Sequence, residues 1–240
     1  MEKPANSFHS RPSHGLNIEP TAAAHDWAGV AHLTRYWAAR GMAKSLANGK
    51  PVIWDLGCGC GYGSRILVTP DTGYYPAVVA VDADIRAVDA ARSDYGKVPA
   101  LSIVQQNLDW SWTTEPRIAD WAALDAFPRP DMIVAFELFE ALRHRELFLD
   151  ECQTRLQAGG LLVLNASVCD RTSTLLNPPN ASIRYDPITL GRILGRYFPL
   201  VTFIKDDKVN KRSVYAELFQ AVSSQFDTSF GDDVIVCRKN

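Results

Sequence analysis

A chain of 240 residues with 47% hydrophobic side chains has enough apolar material for a single domain with one substantial core. Its net charge of −2 disfavours a broad nucleic-acid surface, which is expected to be basic. No run reaches the roughly 18 apolar residues of a membrane span, and residues 1–6 contain no apolar signal core, so a cytoplasmic location is expected.

The N-terminal segment differs in composition from the rest of the chain. Residues 1–24 are rich in Pro, Ser, His and Ala and show no periodicity, which predicts a segment that is disordered or ordered only over a ligand. From Trp27 the pattern becomes helical, with Leu33 and Trp37 supplying apolar surface ahead of the first strand. Residues 25–240 are therefore predicted to form one domain.

The most informative segment is an apolar run that ends in an acid, Asp55, and breaks into alternating glycines. This pattern predicts a buried strand, a tight turn and a helix, which together form the ligand-binding start of an open α/β sheet. Glycine tolerates positive φ and has no Cβ, so the backbone of the turn can approach a ligand closely. Asp55 would repel a pyrophosphate but suits a ligand that carries an ammonium group.

The spacing of the glycines excludes two common ligands. A dinucleotide fingerprint, G-x-G-x-x-G, fails because its last position falls on Tyr62 when counted from Gly57 and on Ser64 when counted from Gly59. A Walker loop fails because no Gly-Lys-Ser/Thr follows.

The segment Asp55-Leu56-Gly57-Cys58-Gly59-Cys60-Gly61 resembles the D-x-G-C-G-x-G motif of class I S-adenosylmethionine-dependent methyltransferases. In that family the loop backbone lies against the methionine part of the cofactor. The resemblance extends over roughly residues 30–205. It implies a doubly wound, Rossmann-like α/β fold with a seven-stranded sheet in the order 3-2-1-4-5-7-6, in which the last strand is antiparallel.

Polar residues are predicted at the ends of the next two strands. The run 77–81 ends at Asp82, roughly 20 residues beyond the loop, where an acid holds a ribose diol. Asp84 is predicted to cap the following helix. The run 101–108 predicts a strand that enters a polar turn. Methyltransferases commonly have an Asp that faces the adenine amine at the position of Asn107, whose amide can still accept that bond or can simply favour a turn.

The fourth predicted strand, 131–135, runs into a segment that resembles the family motif E-x-x-E-H, with Ala141 in place of the His. Because of this change, neither the metal-binding nor the proton-handling role of that motif carries over intact. The resemblance still places Glu137 near the reacting methyl group. Glu140 is either part of the site or a solvated acid in the first turn of a helix.

The last part of the chain completes the predicted sheet. Residues 177–180 read Asn-Pro-Pro-Asn but follow the fifth strand rather than the fourth, which favours a turn over the N-P-P-Y motif of N-methyltransferases. The other predicted elements are a helix that buries Phe148, Cys152 and Leu156 and stops at Gly159-Gly160, a strand at 161–164, a helix from Asp186-Pro187, and an antiparallel hairpin of 200–204 with 233–237.

An Arg-Tyr pair in the N-terminal helix resembles an element of polysaccharide-associated methyltransferases. It implies that Arg35 or Tyr36 meets the cofactor carboxylate, with a half-buried helix aromatic as the alternative for Tyr36. The full set predicted to bind S-adenosylmethionine is Tyr36, Asp55, Gly57, Cys58, Gly59, Asp82, Ala83, Asn107, Leu108 and Phe136. Glu137 and His144 are candidate catalytic bases. Five cysteines, scattered apart from Cys58 and Cys60, predict reduced thiols and no metal site.

The predicted function is methyl transfer from S-adenosylmethionine to a small-molecule or glycan acceptor, as O-methylation. The alternative is a non-catalytic member of the same fold that binds the cofactor or a partner, which Ala141 and Asn107 keep open. An NAD-dependent oxidoreductase is disfavoured by the glycine spacing.

Overall fold

The computed structural model describes residues 27–109, 121–166, 185, 187–204 and 234–240. The predicted N-terminal disorder, the Asn-Pro-Pro-Asn turn and the capping residue Asp186 lie outside these ranges. In the described part of the chain, no helix combines the length and apolarity that crossing a bilayer requires.

Helices and strands alternate along the described chain, as the apolar pattern predicts. The helices are α1 (Trp27–Ala43), α2 (Tyr62–Val68), α3 (Ile85–Tyr95), α4 (Arg145–Arg155) and α5 (Pro187–Leu194). The strands are β1 (Val52–Leu56), β2 (Ala77–Asp82), β3 (Leu101–Gln105), β4 (Met132–Ala135), β5 (Leu161–Asn165), β6 (Leu200–Ile204) and β7 (Val234–Arg238).

The seven strands form one sheet in the order β3-β2-β1-β4-β5-β7-β6. The pairs β1–β2, β1–β4, β2–β3 and β4–β5 are parallel, whereas β7 is antiparallel to both β5 and β6. The predicted strand order and closing hairpin are therefore confirmed. The order reverses between β1 and β4, and ligands of open α/β sheets bind at the carboxyl ends of the strands at such a switch point.

Helices cover both faces of the sheet, which explains why its central strands are apolar on both sides. On one face, Tyr36 and Met42 of α1 pack with Ile53 of β1. On the other face, Phe148 and Cys152 of α4 pack with strand residues. The predicted apolar face of α4 is thus confirmed, and Leu156 directly after the helix is also buried.

Candidate functional site

The glycine loop after β1 is held by the end of β2. The backbone N–H groups of Gly57 and Cys58 donate to the carbonyl of Val81 at 2.8 and 3.0 Å. Gly57 and Gly59 have φ of 78° and 55°, in the left-handed region that favours glycine. The sequence therefore produces a tight turn that is fixed to its neighbouring strand, with backbone exposed to the switch point.

Asp82 at the end of β2 also fixes the loop. Its Oδ2 accepts a hydrogen bond from the N–H of Gly59 at 2.8 Å, and its Oδ1 accepts one from the N–H of Asp84 at 2.9 Å. Asp84 in turn caps α3, because its side chain accepts from the N–H of Arg86. The predicted cap is confirmed. Asp82 is partly exposed and lies beside the loop.

Asp55 supports the loop from behind and is completely buried. Its side chain is 0% exposed, with Oδ1 accepting from the Tyr36 hydroxyl at 3.1 Å and Oδ2 accepting from the Ser64 hydroxyl at 2.5 Å. Burial raises the pKa of Asp55 to about 7, although the bonds from Ser64 and Tyr36 oppose the rise. This corrects the expectation that Asp55 meets a ligand's ammonium group. The face of β1 that carries Asp55 is covered by α1.

Cys58 lies in the glycine loop with a buried side chain. Burial, followed by the nearby charges of Asp55 and Asp82, raises the pKa of the Cys58 thiol well above its usual value. The thiol therefore stays protonated, and it donates weakly to the carbonyl of Gly59. A role as a thiolate is excluded by this environment.

An aromatic cluster lies between α1 and the loop. Tyr36 packs edge-on against Phe136, and both are almost completely buried. Tyr36 is therefore a core residue whose hydroxyl is used by Asp55, which corrects the prediction that it meets the cofactor carboxylate. Tyr62 packs beside it, and its buried hydroxyl has no hydrogen-bond partner among the described residues. An unpartnered buried hydroxyl is costly, so it is the feature expected where a ligand supplies the missing partner.

Glu137 follows β4 in a conformation that is unusual for its residue type. Its φ is 55°, which costs a residue with a Cβ about 1–2 kcal/mol. Its carboxylate accepts a hydrogen bond from Arg35 of α1, and Asn165 at the end of β5 bonds both its backbone and its side chain. The Arg-Tyr pair of α1 thus bonds the ends of two strands: Arg35 donates to Glu137 after β4, and Tyr36 donates to Asp55 in β1.

Three other predicted residues have local structural roles. Asn107 is exposed, and its Oδ1 accepts from the N–H of Asp109 at 3.0 Å, which is the turn alternative. Leu108 is buried in the core. The backbone N–H of His144, directly before α4, donates to the Asp109 carboxylate at 3.2 Å. Glu140 lies in a turn, since α4 begins only at residue 145, so its first-turn interpretation is wrong.

Sequence reasoning missed three residues that the structure brings to the site. Ser64 and Tyr62 lie at the start of α2, and Asn165 ends the apolar strand β5. Each is a polar side chain next to an apolar or glycine run, which is a detectable signal. The partner of Asn165, however, is distant in the chain, since 28 residues separate it from Glu137.

A comparison with protein families agrees with this geometry. Residues 54–164 match the model of a family described as a methyltransferase domain. The matched segment runs from β1 to β5 and contains the glycine loop, Asp82 and Glu137. Over these residues the chain is similar to methyltransferase domains. The resemblance inferred from the glycine loop is confirmed, as is the strand order that it implies.

One curated relative of this chain is a probable S-adenosylmethionine-dependent methyltransferase of Mycobacterium tuberculosis. It is 31% identical over 113 residues, which are 47% of this chain and 34% of the relative. The match therefore spans about a third of the relative's length.

Two solved structures share the fold across almost the whole chain. The plantazolicin methyltransferase BpumL, in complex with a desmethyl analogue and SAH, aligns with a TM-score of 0.62 at 10% identity, over 93% of this chain and 95% of that one. The cyclase SpnF aligns with a TM-score of 0.56 at 14% identity, over 88% and 82% of the two chains. At these identities the likeness concerns the fold alone.

Proposed function

We propose that this protein is an S-adenosylmethionine-dependent methyltransferase that transfers a methyl group to a hydroxyl of a small molecule or glycan. The observation that carries the proposal is the glycine loop, which the end of β2 holds at the switch point with Asp82 beside it. The glycine spacing favours S-adenosylmethionine over a dinucleotide.

The residues around the loop suit S-adenosylmethionine. The backbone of Gly57, Cys58 and Gly59 would lie along the methionine part, and Ala83 is exposed beside Asp82. Each carboxylate oxygen of Asp82 accepts one hydrogen bond and has a second lone pair, so both remain able to accept from a ribose diol. The hydroxyl of Tyr62 stays protonated because burial raises its pKa, and it offers a donor that the described residues leave unused.

The reaction asks for alignment more than for reactive side chains. When bound, S-adenosylmethionine supplies a methyl group on a positively charged sulfur, which a nucleophile can displace. The loop and Asp82 fix the position of that methyl group, and the buried aromatic cluster under the loop keeps the support rigid. Rigid positioning of this kind accounts for much of the acceleration of a two-substrate reaction.

Glu137 supports a hydroxyl as the acceptor group. It lies at the end of β4, on the opposite side of the switch point from Asp82, and its carboxylate is 32% exposed. A carboxylate in this position can accept a hydrogen bond from an acceptor hydroxyl and orient it for attack.

A transfer assay tests the proposal. The full chain is incubated with S-adenosylmethionine carrying a labelled methyl group and with a panel of sugars, phenols and other small hydroxyl compounds. We expect label in at least one acceptor and production of S-adenosylhomocysteine. Binding of S-adenosylhomocysteine without turnover on hydroxyl, amine and carbon acceptors would instead favour the non-catalytic alternative, which the replacement of the motif His by Ala141 keeps open.

A further inference from the structure

Glu137 is held by one oxygen and by its backbone. The Oε1 atom accepts from Arg35 Nη1 at 2.5 Å and from Asn165 Nδ2 at 2.9 Å. The backbone N–H of Glu137 donates to Asn165 Oδ1 at 2.7 Å. In the part of the chain that the structure describes, no hydrogen bond or ion pair reaches Oε2. One half of the carboxylate is therefore fixed and the other half is available.

The two residues that hold Glu137 are themselves buried and come from opposite directions. Arg35 is 5% exposed and belongs to α1, whereas Asn165 is 8% exposed and ends β5. The parallel register pairs Ala135 with Leu164, so Glu137, two residues after β4, and Asn165, the last residue of β5, lie at the same edge of the sheet. The amide of Asn165 spans the backbone and the side chain of Glu137 together, so it fixes the direction of the side chain as well as its position.

The location of Glu137 connects it to the loop. The neighbouring Leu138 packs against Gly57, since a Cβ on Gly57 would lie 3.2 Å from the Leu138 Cβ. Asp82 and the loop border one side of the switch point, and Glu137 borders the other. Left-handed backbone at a residue with a Cβ persists where the surroundings enforce it, which is common at functional sites.

We infer that Asn165 is a positioning residue that, together with Arg35, holds Glu137 Oε2 toward the sulfonium end of the bound cofactor. There the free oxygen stabilises positive charge and accepts a hydrogen bond from the incoming group. This inference rests on the proposed function. The alternative is a clamp that only ties α1 to the sheet, with no effect on what the site binds.

Two cofactor analogues distinguish these roles without any knowledge of the acceptor. S-Adenosylhomocysteine has a neutral sulfur, whereas sinefungin has an amine-bearing carbon in place of the sulfur and its methyl group. Calorimetric titration of the full chain gives the ratio of the two dissociation constants. If the protonated amine of sinefungin bonds Glu137, the wild-type chain binds sinefungin more tightly than S-adenosylhomocysteine. Glu137→Gln removes the negative charge and is expected to lower this preference for sinefungin by at least about tenfold.

Asn165→Leu removes both hydrogen bonds of the side-chain amide while the side-chain volume stays similar. It is expected to lower the preference for sinefungin at least about fivefold, while the affinity for S-adenosylhomocysteine changes less than about twofold. Asn165→Asp keeps an acceptor for the Glu137 N–H but cannot donate to Oε1, so an intermediate loss is expected. It also provides a second variant should Asn165→Leu fold poorly. Glu146→Gln, which neutralises an exposed carboxylate on α4 paired with Arg196, is the matched control and should leave the preference unchanged.

The outcomes separate the inference from the function on which it rests. If the wild-type chain binds neither analogue, the proposed function fails. If it binds both but the Asn165 variants keep the wild-type preference, or lose affinity for both analogues equally, Asn165 is a structural clamp and the inference is overturned.

Discussion

Replacing Asp82 with alanine should remove cofactor binding while leaving the fold intact. In the structure its two oxygens accept from the N–H groups of Gly59 and Asp84 at 2.8 and 2.9 Å, and both retain a lone pair for a ribose hydroxyl. A hydrogen bond to a charged acceptor contributes about 1.5–3 kcal/mol. Loss of two ribose bonds amounts to at least about 3 kcal/mol, so the affinity should fall by more than about 100-fold.

The loop would also lose an anchor, because the N–H of Gly59 would no longer have its acceptor. Asp82→Asn separates the two effects. An amide has one acceptor oxygen and a donor group, so it can bond one N–H but cannot receive the second hydroxyl. Its loss of affinity should lie between those of the wild type and Asp82→Ala.

Asp84→Ala is the matched control for Asp82→Ala. It removes the same charge two residues away and costs α3 its cap, worth about 1 kcal/mol of stability. Its affinity for S-adenosylhomocysteine should stay within about twofold of the wild type. Calorimetry gives the dissociation constants, and urea unfolding gives the stabilities. If Asp82→Ala binds as tightly as the wild type, the assignment of the second strand end to the ribose is refuted.

Three further predictions concern the groups that support the site. At pH values between the ordinary pKa of 3.8 and the folded pKa of about 7, Asp55 holds a proton in the folded protein that it lacks in the unfolded chain. The free energy of unfolding therefore falls as the pH rises through this range. Asp55→Asn has no titrating carboxyl at this position, so its stability does not fall in this way. The free energy of unfolding in urea of the variant, relative to that of the wild type, should rise by about 1.4 kcal/mol per pH unit from pH 5 to 7 and level off above pH 8. Because Glu137 has a φ of 55°, Glu137→Gly should be more stable than Glu137→Ala by about 1 kcal/mol, the reverse of the usual order. Gly63→Ala should destabilise the protein by at least about 1–3 kcal/mol, because its Cβ would lie 2.1 Å from the Tyr36 ring.

A specific result would contradict each of these three predictions. A pH-independent stability difference for Asp55→Asn would mean that the carboxylate is charged when folded. Equal stability of the Glu137 variants would mean that the backbone there is unstrained. A Gly63→Ala variant as stable as the wild type would mean that α1 does not pack on α2 as described.

The structural features around the loop that the sequence predicted correctly are local ones. The strand, the glycine turn and Asp82 lie within 28 residues of one another, from Asp55 to Asp82, and turn chemistry depends on neighbours in the chain. The cap at Asp84 is of the same kind. The strand order needed the family resemblance, because periodicity predicts strands and helices without their arrangement.

The errors concern side-chain direction and burial, which depend on distant elements. Asp55 was expected to face a ligand because it ends a strand beside the loop, but α1 covers that side and supplies the Tyr36 hydroxyl. Glu137 was predicted as a site residue, yet its partners, Arg35 and Asn165, lie 102 residues before it and 28 after it. Only the packed sheet and helix bring these groups together.

The central claim is that the loop between β1 and α2 binds an adenosyl cofactor and not a dinucleotide. Calorimetric titration of the full chain with S-adenosylhomocysteine and, in parallel, with NAD⁺ tests it most directly. The account predicts saturable binding of one S-adenosylhomocysteine per chain and no binding heat with NAD⁺. Saturable NAD⁺ binding, or no binding of S-adenosylhomocysteine, would contradict it.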